Sequence, residues 1–302
     1  MAEAATHQEF DPLATGGTRR RITSKGIVYG ALGLFALIYL APLMIILLNT
    51  LRPLDDIVRT GFIALPEAET MSLKYWAEAW GTFCIGGTCE GVSRFYKNSL
   101  MMTIPATVLS TMFGLLNGYI LSKWRFRYDG VIFGLITLGV FMPQQMTLLP
   151  WAFVLGKLGL SNSIAGLVFV HTIQGISFTT LFCRNYFVSI PDDLIKAARI
   201  DGAGFWRIFR RIILPLSPPI VIVTVIWQFT GIWNEFLFGT VFTSGANQPI
   251  TSAIVAFSGS GTGERHYNVE AAAVIMAAIP PLIIYVLGGK YFVRGLTQGA
   301  VK

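Results

Sequence analysis

The chain has 302 residues, of which 53% are hydrophobic and only 13% are charged. This charged fraction is about half that of an average soluble protein, so the composition predicts an integral membrane protein. Lys and Arg outnumber Asp and Glu by 23 to 16, but the cations fall in short segments between apolar runs. There they report membrane orientation, and they do not indicate nucleic-acid binding.

The amino-terminal segment is polar. Residues 1–24 combine acidic residues, Pro and Gly with Arg19, Arg20 and Arg21, which is typical of a disordered cytoplasmic tail. They contain no apolar core of the kind found in a cleavable signal peptide, so none is expected. The uncharged run at 26–48 would be about 35 Å long as a helix and is predicted to be the first membrane span.

Five further apolar segments predict membrane spans, with approximate bounds 99–121, 131–149, 164–182, 219–241 and 271–289. The long loop at 50–96 contains Cys84 and Cys89, which could form a disulfide in an oxidising compartment or remain two thiols. Prolines in or beside the spans could kink the helices or be accommodated without a role in gating. They stand at positions 143, 150, 280 and 281.

The distribution of cations predicts the orientation of these spans. If both termini are cytoplasmic, sixteen of the 23 Lys and Arg residues lie on the cytoplasmic side and seven in outer loops. This bias agrees with the positive-inside rule for short loops. The sequence therefore predicts six spans with both ends inside, and it places residues 190–219 in the cytoplasm.

Residues 190–219 are the longest polar, cation-rich interruption of the apolar sequence. Ser189 as a cap, Pro191 in the first turn and Asp192 near the exposed backbone donors predict a helix start. The apolar side of this first helix is predicted to carry Leu194, Ala197, Ala198 and Ile200. The polar side is predicted to carry Asp193, Lys196 and Arg199.

A second helical run follows a sharp reversal at Gly202. Apolar residues from Phe205 to Ile212 recur at helical spacing beside three arginines, and Leu214-Pro215 is predicted to end the run. The segment is thus expected to be a helical hairpin with one apolar side. A basic hairpin lying on anionic lipid is an alternative interpretation.

The residues of this hairpin carry a resemblance to a known family. Lys196-Ala197-Ala198, then Ile200-Asp201-Gly202-Ala203, then Ile213-Leu214-Pro215 resembles the EAA loop in permease subunits of bacterial ATP-binding-cassette (ABC) importers, in their carbohydrate-uptake branch. In that family the loop is the cytoplasmic coupling helix that docks on the ATPase subunit. Lys196 stands where the family usually has glutamate, so the ion pair of that glutamate with the partner cannot be carried over.

The resemblance implies the fold, the site and the partners. It implies an all-α integral membrane protein of the bacterial inner membrane, with a type I ABC importer permease fold of six transmembrane helices over 25–302. The partners would be a second homologous permease, two ATPase subunits that bind ATP and Mg, and a periplasmic sugar-binding protein. The residues expected to couple to the ATPase are Asp193, Leu194, Lys196, Ala197, Ala198, Asp201, Gly202, Ala203, Leu214 and Pro215.

Two segments of the chain indicate a substrate class. Segments 80–91 and 289–302 look most like those of glucose/mannose-type permeases, while another sugar, a glycoside or a polyol remains open. Polar side chains within spans are expensive in hydrocarbon and are candidates either for a sugar pathway or for hydrogen bonds between helices. Those selected for the pathway are Gln144, Gln145, Asn234 and Glu235, with Glu235 expected near the outer water interface.

The sequence does not predict a catalytic site in this chain. Its three histidines lack metal-ligand spacing and it has no phosphate-binding Gly-rich loop, so we expect no metal site, no ATP binding and no enzymatic activity of its own. An ATP-independent secondary transporter or channel is the rival class. Such proteins often carry ionisable groups inside the membrane, and apart from Glu235 the predicted spans lack acids and basic residues.

Overall fold

The computed structural model describes residues 17–85, 87–124, 126–259 and 265–298. Within these ranges the regular elements are helices, and one isolated bridge joins Ile85 and Thr88. The chain divides into two compact units, Met1–Met71 and Ser72–Lys302.

The first unit holds a long apolar helix, α1 (Gly17–Asn49), and a short one, α2 (Leu54–Thr60). Because α1 begins at Gly17, residues 17–24 are helical and the predicted tail is wrong there; residues 1–16 lie outside the described residues. The turn after α1 is organised by Arg52, whose buried guanidinium pairs with Asp56 at 2.8 Å and donates to the carbonyls of Gly61 and Ala64. These bonds satisfy a buried cation that would otherwise be costly.

The second unit contains the remaining helices. They are α3 (Lys74–Gly81), α4 (Ser93–Lys123), α5 (Asp129–Phe141), α6 (Gln144–Leu158), α7 (Ile164–Val188), α8 (Asp192–Ile200), α9 (Phe205–Ile208), α10 (Leu214–Leu216), α11 (Pro218–Asn234), α12 (Leu237–Phe242), α13 (Ile250–Gly259) and α14 (Tyr267–Gln298). A π-helical turn, Phe209–Ile213, separates α9 from α10, and a 3₁₀ turn, Gly245–Asn247, precedes α13.

The predicted span at 131–149 is not one helix. Met142 is extended and Pro143 follows, so α5 and α6 meet at an angle of 104°. Proline cannot donate to the preceding turn, and it biases the residue before it towards extended backbone. Pro150 instead lies inside α6, and Pro280 and Pro281 lie inside α14.

The predicted span at 219–241 is also interrupted. Its helix α11 ends at Asn234, Glu235 is extended, and α12 begins at Leu237. At its other end α11 is bent by 76° from the preceding Phe205–Leu216 segment. In the described part of the chain, four helices are long and apolar enough to cross a membrane, or up to six if each bent pair forms one span.

Helices α4 and α7 are the most closely packed pair in this unit, because glycines let their backbones approach each other. A Cβ added at Gly118 would lie 2.7 Å from the Cβ of Cys183, and one added at Gly114 would overlap Thr179. Thr179 Oγ1 donates to the carbonyl of Ser110 across the contact at 2.8 Å. Small residues at helix contacts are typical of membrane proteins, where close van der Waals packing drives association.

Candidate functional site

The segment at 190–219 is a helical hairpin, as predicted. Helix α8 ends at Ile200, and the chain reverses through Gly202 in the left-handed region, at φ 73°, before α9 begins at Phe205. An added Cβ at Gly202 would meet nothing within 4 Å, so glycine is needed there for its backbone conformation and not for space.

Three details of the hairpin differ from the sequence prediction. The hydroxyl of Ser189 donates to the carbonyl of Tyr186 and does not cap α8, which lacks a side-chain cap. The buried residue of α8 is Ile195, 4% exposed, whereas Leu194 and Ile200 are 47% and 87% exposed. The second run passes through Pro215 and ends at Leu216, because the π-helical turn shifts the hydrogen bonds just before the proline.

The inner side of the hairpin packs on the ends of α4 and α7. Ile195, Ile208 and Ile213 belong to one buried cluster with Tyr119 of α4 and Phe187 of α7. Burying an aliphatic side chain of this size contributes about 1.5–3 kcal/mol. The hairpin is therefore fastened to both helices by apolar contacts and is not a loose connector.

A lysine with a buried side chain, at the carboxyl end of α4, adds polar contacts between α4 and the hairpin. Lys123, whose side chain is 3% exposed, places its Nζ 2.6 Å from the carbonyl oxygen of Ile190 and 2.6 Å from Oδ1 of Asp192. In return, Arg199 of α8 donates to the carbonyl of Lys123 at 3.2 Å and lies over the ring of Trp124 at 4.3 Å. Both ends of α8 are thus bonded to the carboxyl end of α4, and we call this arrangement the Lys123 clamp.

The residues predicted to couple to an ATPase lie mostly on the surface of the hairpin. Ala198 and Ala203 are half-buried, whereas the exposed ones are Asp193, Leu194, Lys196, Ala197, Asp201, Gly202, Leu214 and Pro215. Lys196 Nζ lies 3.0 Å from Oδ1 of Asp193, and the hydrogen bond that the ammonium group donates to this carboxylate raises the pKa of Lys196. The lysine in the position of the family's glutamate thus has an acidic partner within its own helix.

A polar cleft of about 400 Å³ lies between α7, α11 and the break joining α5 to α6. Its polar lining comes from three sides, with Gln144 and Thr147 from α6, His171, Gln174 and Ser177 from α7, and Gln228 and Glu235 from α11 and its end. Two hydrogen bonds hold its amides in place. Gln174 Nε2 donates to Thr147 Oγ1 at 3.1 Å, and Gln228 Nε2 donates to the carbonyl of Gly175 at 2.9 Å.

Glu235 forms one wall of this cleft. Its side chain is 7% exposed, so its carboxylate is buried among neighbouring protein groups. Both carboxylate oxygens accept from the backbone N–H of Phe238, at 3.0 and 3.1 Å, where α12 begins. Its Oε2 lies 3.7 Å from Nε2 of His171, a buried nitrogen that has no hydrogen-bond partner among the described residues.

The four residues predicted to line a pathway are brought together. Gln144, Gln145, Asn234 and Glu235 line a second cleft of about 320 Å³, which shares Gln144 and Glu235 with the first. The sequence marks His171 and Gln174 only as polar span residues that could line a pathway or join helices, and they are not among the four selected for the pathway. Their three-residue spacing on a helix, which sets both on one face, was the available signal.

Cys84 and Cys89 are bonded to each other in the structure, and the bridge Ile85–Thr88 lies inside their ring. The third cysteine, Cys183, is buried in the cluster behind the hairpin. The disulfide segment continues into the core of the second unit, because Ile85 and Val92 are buried there with Tyr75.

Comparison with known proteins connects these features to a family. Residues 97–298 match the family described as "binding-protein-dependent transport system inner membrane component". The xylose/arabinose import permease protein XacI of Haloferax volcanii is 31% identical over 99% of this chain and 100% of its own length. The glucose import system permease protein GlcU of Saccharolobus solfataricus is 31% identical over 92% and 95%.

A solved structure shares the fold. A chain of a bacterial ABC transporter involved in the import of the acidic polysaccharide alginate superposes with a TM-score of 0.75, at 22% identity, over 93% of this chain and 100% of that one. With the family match over two thirds of the chain, the fold and the relatives agree. The chain belongs to the binding-protein-dependent transport system inner membrane components, and it is a permease subunit of an ABC sugar importer.

Proposed function

We propose that this subunit forms half of the translocation pathway of an importer for a neutral monosaccharide of the glucose or mannose type. It lies in the bacterial inner membrane with both termini in the cytoplasm and spans it six times. A second permease completes the pathway, a periplasmic binding protein delivers the sugar, and two ATPase subunits bind ATP and Mg. The cleft beside Glu235 carries the pathway, because it is the place where uncharged hydrogen-bonding side chains from three helices converge.

The hairpin at 190–219 converts ATP-driven closure of the ATPase subunits into movement of the helices. Its exposed surface, with Leu194, Ile200 and Trp206 projecting, docks on the ATPase. Its inner side is joined to α4 by the Lys123 clamp and to both α4 and α7 by the apolar cluster. Because α7 also lines the cleft, a displacement of the hairpin shifts the cleft between its inward- and outward-open states.

The choice of substrate rests on two observations. The glucose importer subunit GlcU is similar over nearly its whole length. The cleft is lined by amides, hydroxyls and tryptophans with one acid, which suits a hydroxylated and uncharged ligand. Relatives that take up xylose and arabinose or diacetylchitobiose define the other sugars to be screened.

Substitution at the tip of the hairpin tests the proposal in the reconstituted complex with its binding protein. Gly202→Ala and Gly202→Trp carry the same backbone strain at positive φ, but only the tryptophan adds bulk at the docking surface. Sugar-stimulated ATP hydrolysis should survive in Gly202→Ala and be lost in Gly202→Trp, while membrane insertion is unchanged in both. If Gly202→Trp couples as well as Gly202→Ala, the hairpin is not the coupling element. If the chain transports sugar without any ATPase subunit, it is a secondary transporter.

A further inference from the structure

We infer that the cleft next to Glu235 is a sugar-binding subsite of this chain, and that Glu235 makes it selective for neutral sugars over sugar acids. The inference rests on the proposed function and adds a specificity residue to it. It concerns discrimination by the permease itself, separate from the choice made by the binding protein.

The dimensions of the cleft suit a small ligand. Its volume of about 400 Å³ lies towards the lower end of the roughly 300–1,000 Å³ that small-molecule pockets span. Such a volume favours a short sugar over a long oligosaccharide. The cleft lies where α11 ends at Asn234 and where α5 and α6 are separated at Pro143, so backbone breaks open the space on two sides. In transporters, irregular backbone of this kind is tolerated where it lines a cavity.

The lining offers both a hydrogen-bonding side and an aromatic side. The nitrogens of Gln174 and Gln228 are held by protein acceptors, so the carbonyl oxygens of these amides are the groups suited to accept sugar hydroxyls. Trp227 lines the cleft, is 54% exposed, and stacks on Phe178 with ring centroids 5.0 Å apart. An indole held in this way presents a fixed apolar surface to the C–H groups of a sugar ring.

His171 is the observation that points most directly to a ligand. The residue lines the cleft with a side chain that is 5% exposed, and its Nε2 is buried without a hydrogen-bond partner among the described residues. Leaving a buried polar atom unpaired is energetically costly, so a native structure that keeps one calls for an explanation. A sugar hydroxyl in the cleft would satisfy this nitrogen and could also donate to Glu235, whose Oε2 is 3.7 Å away.

Charge decides the selectivity. Among the described residues that line the cleft, Glu235 is the only acid and none is a lysine or arginine, so its carboxylate has no such cation there to balance it. A second carboxylate on the ligand would lie beside a carboxylate that is only 7% exposed, where like charges repel more strongly than in water. A neutral hexose meets no such penalty. The cleft should therefore accept glucose-like sugars and reject uronic acids.

The test measures direct binding of labelled glucose, mannose and glucuronate to the whole transporter in lipid nanodiscs, without the binding protein. Both the nucleotide-free complex and the complex trapped with ATP and vanadate are used, so that both states of the cleft are sampled. The variant is Glu235→Gln, which keeps size and hydrogen-bonding capacity and removes the charge. Glu90→Gln is the matched control, because Glu90 is an exposed acid outside the cleft.

We expect wild type and Glu90→Gln to bind a neutral hexose at least about tenfold more tightly than glucuronate. Glu235→Gln should reduce that ratio by about tenfold, mainly by improving glucuronate binding. Trp227→Ala and His171→Ala should weaken hexose binding. An unchanged ratio in Glu235→Gln, or no sugar binding by wild type in either state, overturns the inference. In that case sugar-stimulated ATP hydrolysis with the binding protein would still uphold the proposed function, whereas its absence for every sugar would refute the function as well.

Discussion

Replacing Lys123 by methionine should loosen the hairpin at 190–219 without unfolding the protein. Methionine keeps most of the aliphatic stem in its buried position and removes the ammonium group that bonds the carbonyl of Ile190 and the carboxylate of Asp192. The hairpin would then be held to α4 by its apolar cluster, by Arg199 and by the hydrogen bond that the Tyr119 hydroxyl donates to the carbonyl of Phe205. We expect local opening of α8 to become easier while the core of α4 and α7 remains intact.

The magnitude follows from the burial of the two partners. A hydrogen bond from a charged group contributes about 1.5–3 kcal/mol, and the Ile190 carbonyl is in a residue only 7% exposed. The Asp192 side chain is 65% exposed, so its ion pair adds about 0–1 kcal/mol. A loss of about 2 kcal/mol would raise the rate of amide exchange in α8 about thirtyfold.

Hydrogen–deuterium exchange of the whole complex, read at peptides covering 192–200, measures this loss. Lys97→Met is the control, because Lys97 lies near the opposite end of the same helix and is exposed. The ratio of sugar-stimulated to basal ATP hydrolysis should fall in Lys123→Met and stay constant in Lys97→Met. Equal exchange in both variants would refute the clamp. Faster exchange with unimpaired coupling would show that the clamp stabilises the hairpin but does not transmit its movement.

Three other substitutions test separate features. Gly118→Val should force α4 away from α7, reduce the free energy of unfolding by about 1–3 kcal/mol and lower the thermal midpoint. Gly134→Val should change the midpoint much less, because the space around an added Cβ is open there, and equal shifts in the two variants would refute the close contact. Cys84→Ser with Cys89→Ser should lose about 2 kcal/mol and make the midpoint insensitive to reductant, and a reductant-insensitive wild type would argue against the bond. Lys196→Glu places a second carboxylate beside Asp193, and it should weaken assembly with an ATPase whose docking surface presents an acid. The amount of ATPase that co-purifies is compared with that for Lys196→Met, and unchanged assembly would mean that position 196 forms no ion pair with the ATPase.

The sequence predicted the helices and the hairpin because both leave one-dimensional signals. Uncharged runs of about 20 residues mark α1, α4, α7 and α14 whatever their neighbours are. The reversal at Gly202 needs only the glycine itself. The family resemblance added what the pattern could not, namely the proposal that the hairpin docks on an ATPase subunit.

Features that depend on how helices rotate or break were predicted poorly. Hydropathy gives the length of an apolar run but not its path, so the 104° bend at Pro143 was taken for part of one span. On α8, the helical spacing predicts Leu194 and Ile200 on the apolar side, whereas contact with the cluster around Tyr119 and Phe187 buries Ile195. Likewise the approach of His171 to Glu235 joins residues 64 positions apart in the sequence, for which a single sequence carries no signal.

The close contact between α4 and α7 has a practical consequence for measuring transport. Gly114 and Gly118 leave no gap across this contact, so the two helices must travel together when the hairpin is displaced. Spectroscopic labels placed one on each helix should therefore report a constant distance through the ATPase cycle. That pair can serve as a reference distance, against which labels across the cleft, on α7 and α6, would record any opening and closing of the proposed sugar pathway.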